Sequence, residues 1–289
     1  MSILVIGANG TIGSLVVERL AAAGAQVTAL VRSPGKRTFP AGVTEAVADL
    51  GDVAAMRAAL EGARTLFLLN AVAPDEVTQA MLALNLAHDA GIRRVVYLSV
   101  IHADLYSNVP HFGGKFAVER MIGDLGIPAT ILRPAYFMQN DIQVANTVLQ
   151  YGVYPMPIGQ AGVAMIDTRD IADVAVLELL RRDRSEHILP PARYDLAGPQ
   201  ALTGAEVAAI WSDFAGRAVQ YGGDGLERFE QQFATYAPGW MAYDMRLMMA
   251  RIQLHGMHGE AGAVGRLEQL LGRPLRTYRA AVAEMIAPV

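Results

Sequence analysis

His111 and Lys115 stand four residues apart in the run His111-Phe-Gly-Gly-Lys-Phe-Ala-Val-Glu119. Helical periodicity puts them on one face. An imidazole, with an ordinary pKa near ~6.5, can give or take a proton at neutral pH; an ammonium can hold hydroxyls or an anion. A second cluster is Gly7, Gly10 and Gly13, one glycine at every third position. A third is Arg32, followed by Ser33, Lys36 and Arg37. A guanidinium binds phosphate through charge-assisted hydrogen bonds. A glycine turn for a diphosphate, a cation for a further phosphate and a proton-transfer pair are together the chemistry of a bound dinucleotide.

The elements that must position these groups are legible. Ile3 to Ile6 read as a short buried strand, and after Gly13 the pattern becomes helical, with Leu15, Val16, Leu20 and Ala23 on one face. Strand, glycine turn and helix form the geometry that binds a dinucleotide diphosphate. Gly7 permits the turn, Gly10 lets the backbone approach the phosphates, and Gly13 lets the helix pack on the strand. The helix N-terminus supplies unpaired N–H groups and partial positive charge. Gly7, Asn9, Gly10, Thr11, Ile12 and Gly13 are therefore expected to bind the cofactor. Gln26–Val31 is the second strand. An NAD site carries an acid at its end for the ribose 2′-hydroxyl; Arg32 stands there instead, so the expected cofactor is NADP(H), against the bland alternative of a solvated basic loop.

Further strands are expected over 43–48, 64–69, 94–100 and 127–132, with helices over 52–60 and 74–90. This alternation argues for a doubly wound parallel sheet. Arg32, Asp49, Asn70 and Ser99 all fall at carboxyl ends of its strands, where open parallel sheets bind ligands. Asp49 can accept from an adenine amino group with Leu50 against the ring, or act as a turn residue or cap. Asn70 can bond ribose or stabilise its loop.

The chain resembles the NmrA-like family of atypical short-chain dehydrogenase/reductases. The resemblance rests on Gly7-Ala-Asn-Gly-Thr-Ile-Gly13, Val31-Arg32, His111 to Glu119 and Gly126-Ile-Pro-Ala-Thr-Ile-Leu-Arg-Pro-Ala-Tyr-Phe-Met-Gln-Asn140, then on Ile166-Asp-Thr-Arg-Asp-Ile-Ala172 and Tyr194-Asp-Leu-Ala-Gly-Pro199. It covers roughly residues 1–220. It implies NADP(H) bound by the glycine loop and Arg32, Lys115 at the nicotinamide ribose, and Pro134, Tyr136 and Phe137 beside the nicotinamide. In the wider superfamily the position of His111 holds a tyrosine that transfers the proton. His111 can replace it, order a water or the substrate, or be a silent helix-start residue. Lys115 has its own alternative, a surface salt bridge to Glu119 at i+4. The family includes quinone and dye reductases, reductases of plant phenolic ethers, and regulators that bind NADP(H) without evident turnover.

The second half is less explicit. A helix is expected from Phe137 to Gln150. Tyr151–Pro157 reads as an ordered loop, an edge strand or a substrate wall. Asp167 or Thr168 can cap a helix running to about Leu180. Ala192–Leu196 should return to the sheet. A helix from Thr203, a short strand over 218–221, helices over 226–236 and 242–254, and a final helix over 276–286 complete the chain. Trp240-Met-Ala-Tyr-Asp-Met-Arg-Leu-Met-Met249 reads as core or as a pocket lid suited to a flat apolar substrate. His255 and His258 have no nearby carboxylate beyond Glu260, so a metal site is not expected there.

The chain has 289 residues, 53% of them hydrophobic, a formal net charge of −4 and no cysteine. Disulfides, cysteine-ligated metals and a thiol nucleophile are excluded; nucleic acid and anionic membranes are not expected partners. No uncharged apolar run reaches the ~20 residues that span a bilayer, and a cytoplasmic protein is expected. The expectation is an α/β doubly wound Rossmann fold over 1–150 with a smaller α+β substrate lobe over 151–289, as monomer or homodimer. It would pass a hydride from NADPH to a small apolar, aromatic or quinone-like acceptor. The rival is a non-catalytic NADP(H) sensor, and a third possibility is an epimerase that recycles its cofactor.

Overall fold

A computed structural model describes residues 2–287. In chain order the elements are β1 (Ser2–Val5), α1 (Thr11–Ala22), β2 (Val27–Val31), β3 (Val43–Val47), α2 (Val53–Leu60), β4 (Ala63–Leu68), α3 (Glu76–Asp89), β5 (Arg94–Leu98), α4 (Pro110–Asp124) and β6 (Thr130–Pro134). Then follow α5 (Ile142–Tyr151), β7 (Val153–Tyr154), α6 (Thr168–Arg184), β8 (Ala192–Leu196), α7 (Gly204–Ala215), β9 (Gln220–Tyr221), α8 (Leu226–Phe233), α9 (Gly239–His255), α10 (Ala263–Leu271) and α11 (Tyr278–Met285).

The described chain forms two compact units that interleave along the sequence. The first comprises Met1–Val100, Gly114–Arg133 and Ile171–Tyr194; the second comprises Ile101–Gly113, Pro134–Asp170 and Asp195–Val289. The interleaving follows from the sheet: the chain leaves it after β5 and after β6, and comes back to it each time.

The main sheet has the order β3-β2-β1-β4-β5-β6-β8. The pairs of β1 with β2 and β4, of β2 with β3, and of β5 with β4 and β6 are all parallel. This is a doubly wound α/β fold, with the order reversing between β1 and β4. Leu4, Ile6, Leu66, Leu68, Val95 and Tyr97 belong to its core, together with Leu84, Leu86 and Ile122 from the helices. Strands buried on both faces read as continuous apolar runs, which is why Ile3–Ile6 was legible. Sequence and structure differ at β6, which begins at Thr130 instead of Ile127: Pro128 has no N–H to give a ladder.

In the second unit β7 pairs with β9 in parallel, Val153 opposite Gln220 and Tyr154 opposite Tyr221, so the Tyr151–Pro157 stretch includes an edge strand. The helix expected from Phe137 is broken: a 3-10 turn over Met138–Asp141 precedes α5. Helix α10, bracketed by Gly262 and Gly272 in the left-handed conformation, was not anticipated. Helix α7 opens on a capping box between Thr203 and Glu206. Among the described residues no helix is long and apolar enough to cross a membrane, and no group of three or more His, Asp or Glu could hold a metal ion.

Candidate functional site

In the first unit the glycine turn joins β1 to α1. Gly7 has φ +79°, a conformation that disfavours any side chain; a Cβ there would also lie 2.7 Å from the Leu69 carbonyl oxygen. Helix α1 starts at Thr11, three residues earlier than the periodicity suggests, so Gly13 sits inside its first turn. A Cβ on Gly13 would come within 2.1 Å of the Gly7 carbonyl oxygen. Gly13 is thus required by the close approach of helix and turn. Gly10 is the N-cap and supplies no side-chain cap, leaving the first-turn N–H groups for a ligand. Ile12 is buried beneath the turn, while Gly10 and Thr11 are exposed.

Asn9 and Asn70 flank the point where the strand order reverses, since Asn9 follows β1 and Asn70 follows β4. Asn9 Oδ1 and both amide atoms of Asn70 are buried without a hydrogen-bond partner. Orphaned buried polar atoms cost about 1–3 kcal/mol each. Three of them at one sheet edge fit a polar ligand that completes them. Arg32, at the end of β2, is exposed and has no ion pair or hydrogen bond among the described residues, whereas Arg37 pairs with Glu18 at 2.9 Å. This donor set fits NADP(H): N–H groups and glycines for the diphosphate, Arg32 for the 2′-phosphate, and amides at the switch point.

The other sequence-selected residues take varied places. Asp49 is exposed and accepts the Gly51 N–H at 2.8 Å, closing its own turn; Leu50 packs against the core. Ser99 is buried, and its hydroxyl donates to Glu119 at 2.5 Å. Glu119 also accepts Arg133 Nε at 2.9 Å. Lys115 therefore does not pair with Glu119. Its ammonium donates to Glu76 Oε1 at 2.6 Å, and both residues are buried. Pro134 ends β6. Tyr136 is buried, and its hydroxyl is directed to Asp141. Phe137 bridges to Ile166.

The two chemistries expected from one helix face are built in separate units, because the division falls between Gly113 and Gly114, inside α4. In the first, Lys115 is held by Glu76 of α3. In the second, Asp244 of α9 grips His111 twice: Oδ1 accepts the His111 backbone N–H at 3.1 Å, and Oδ2 meets the ring Nδ1. The Asp244 side chain is 1% exposed and that of His111 10%. The Phe112 ring stands edge-on to the imidazole, centroids 4.7 Å apart.

Glu76 and Asp244 are the groups that sequence reasoning missed. Asp244 carried a signal, a lone acid in the apolar run Trp240–Met249. Glu76 carried none, since an acid in a helix first turn is ordinary.

A second acid outside the expected set is Asp141. It is fully buried among the hydroxyls of Tyr136, Tyr154 and Tyr278. Burial pushes its carboxyl up from 3.8 to about 6, with the three tyrosine hydrogen bonds holding it back. Burial likewise raises the Tyr136 phenol far above its usual range, with the Asp141 charge adding to it.

Comparison with known proteins identifies the family. The model of the NmrA-like family matches residues 1–273. An NAD(P)H azoreductase of Xenophilus azovorans is 34% identical over 281 residues, covering 96% of this chain and 95% of that protein. Quinone oxidoreductase 2 of Escherichia coli is 32% identical over 224 residues, 76% of each chain. The crystal structure of an NADPH-dependent quinone oxidoreductase from Escherichia coli, complexed with NADPH, superposes with a TM-score of 0.85 at 27% identity, covering 98% of this chain and 99% of that one.

Proposed function

The chain belongs to the NmrA-like family, and from that premise we propose that it reduces quinone-like or azo acceptors at the expense of NADPH. It is an NAD(P)H-dependent reductase. The observation that carries the reading is the set of orphaned amide atoms of Asn9 and Asn70 beside an uncapped glycine turn. The azo and quinone reductases among its relatives support the choice of acceptor class.

When bound, NADPH supplies a hydride. The chain's own residues do the rest. Gly7, Gly10, Thr11, Ile12 and Gly13 hold the diphosphate through backbone N–H groups and the helix dipole. Arg32 holds the 2′-phosphate. Asn9 and Asn70 give their amides to the ligand, with Asp49, Leu50 and Ser99 at neighbouring strand ends. Lys115, fixed by Glu76, keeps donors for the ribose hydroxyls. Pro134, Tyr136 and Phe137 form an apolar wall for the nicotinamide. His111 gives the proton that completes reduction. Quinones and azo bonds spread the arriving negative charge by conjugation, so they need less help from an acid than an isolated carbonyl does. That accounts for a reductase without the superfamily tyrosine.

The test follows NADPH oxidation with 1,4-benzoquinone and with the azo dye methyl red. Turnover of either, with NADH a poorer donor, is expected. NADPH binding without turnover of any quinone or azo dye would replace this reading with the sensor.

A further inference from the structure

We infer that Asp244 is a positioning residue that keeps a hydrogen on Nδ1 of His111, so that Nε2 is the nitrogen at which the ring takes up and gives its transferable proton. The inference rests on the reading of His111 as proton donor.

Asp244 contacts His111 at two points, and the pattern is what sets the tautomer. One oxygen accepts the backbone N–H of the same residue whose ring meets the other. The carboxylate is thereby oriented before the imidazole is considered. An ionised carboxylate only accepts hydrogen bonds, so the ring nitrogen facing it must carry a hydrogen. Nδ1 is then occupied in both the neutral and the cationic ring, and the proton that comes and goes is the one on Nε2. The neighbouring Phe112 ring, edge-on, limits the imidazole's rotation. An Asp that orients a catalytic imidazole is a recurring arrangement, and its removal gives the wrong tautomer while leaving geometry intact. Asp244 lies 133 residues from His111 in sequence and is nearly inaccessible, so it serves His111 and not the substrate directly.

An azo acceptor takes one hydride and one proton. The N=N π bond would break, one nitrogen taking the hydride that bound NADPH would supply on becoming NADP+, and the other taking the Nε2 proton of the cationic ring. His111 is left neutral with Nδ1–H still on Asp244, and regains its proton from solvent. For 1,4-benzoquinone the reduced oxygen is a stabilised phenolate that water can protonate, so dependence on His111 is weaker.

Asp244→Asn tests this with little change of shape. The amide oxygen must still accept the His111 backbone N–H, which turns the amide NH2 toward Nδ1. Nδ1 then has to accept, and the ring becomes Nε2–H. The expected results are a change in the ¹⁵N shifts of the His111 ring from the Nδ1–H to the Nε2–H pattern in the ligand-free protein, and a fall in kcat on methyl red of about 10²-fold. The fall on benzoquinone is smaller, and KM changes little for either. Asp244→Glu keeps a carboxylate, and so should keep the Nδ1–H pattern and recover part of the rate. His111→Ala separates the failures. If it lowers methyl red turnover while Asp244→Asn leaves rate and ¹⁵N shifts at parent values, Asp244 has no positioning role and the proton donor stands. If His111→Ala leaves turnover intact, both fall and the reductase remains. An Nε2–H pattern in the unsubstituted protein would overturn the inference with no variant at all.

Discussion

Substituting Asp141 by Asn should remove a pH dependence from the stability of the second unit. Asp141 is fully buried and accepts hydroxyls from Tyr154 at 3.0 Å, from Tyr136 at 3.4 Å, and from Tyr278. Tyr278 in turn accepts the Trp211 indole N–H at 2.9 Å. Its carboxyl is raised from 3.8 to about 6, chiefly by burial. Well below pH 3.8 the group is protonated whether the chain is folded or unfolded. As pH rises further the unfolded chain releases its proton first, while the native state still holds it. Native stability therefore falls as pH climbs through about 6, and the loss is complete above that value. A rise of about two units, at ~1.4 kcal/mol per unit, makes the loss about 3 kcal/mol. Asn cannot ionise and carries no such slope. The absolute effect of the substitution also includes altered hydrogen bonds to three tyrosines, so the informative quantity is how the difference between parent and variant changes with pH. Urea unfolding between about pH 4 and pH 7.5, followed by Trp211 fluorescence in a Trp240→Phe background, measures it. The parent should lose about 2 kcal/mol relative to Asp141→Asn over that range, the remainder of the loss falling below about pH 4. A difference that stays constant would refute the claim that this carboxyl is destabilised by burial.

Three other outcomes are expected. Arg32→Ala should weaken NADPH by roughly tenfold to a hundredfold, the worth of a charge-assisted contact of about 1.5–3 kcal/mol, while NADH titrates as before; equal losses for both nucleotides would show that Arg32 does not read the 2′-phosphate. Asn70→Leu removes two orphaned buried atoms, so the ligand-free protein should melt higher while NADPH affinity drops, and lower melting would mean that the amide is satisfied within the protein. Glu76→Gln strands the Lys115 ammonium without its buried partner and should cost about 3–5 kcal/mol in urea unfolding, with Glu76→Leu/Lys115→Met recovering most of it; additive losses in the double variant would show that the two side chains are not coupled.

These predictions divide by how far apart in sequence their groups lie. The apolar run Ile3–Ile6, the glycine spacing and the helix after it are contiguous, and each residue acts on its own backbone or on the next turn. Gly13 meets Gly7, six residues away, and any chain that forms strand, turn and helix must bring them together. Arg32 follows from position alone, since the end of the second strand of a doubly wound sheet lies at its ligand edge. Hence the fold and the cofactor were readable from the order of residues. Element ends were less so: α1 began early because a helix can start on an uncapped glycine, and β6 began late because Pro128 cannot join a ladder.

What the amino-acid order by itself determined is the fold, the cofactor and a strand, glycine turn and helix made of local geometry. What only the tertiary structure decided is which charges meet. Lys115 had a carboxylate one helical turn away in Glu119 but pairs with Glu76, 39 residues distant, because Glu119 is taken by Ser99 and Arg133. Asp244 and Asp141 likewise acquire their meaning from partners on other elements. A buried ion is stable only where counter-charge and hydrogen bonds converge on it, and that convergence is a property of packing, which no spacing along the chain records.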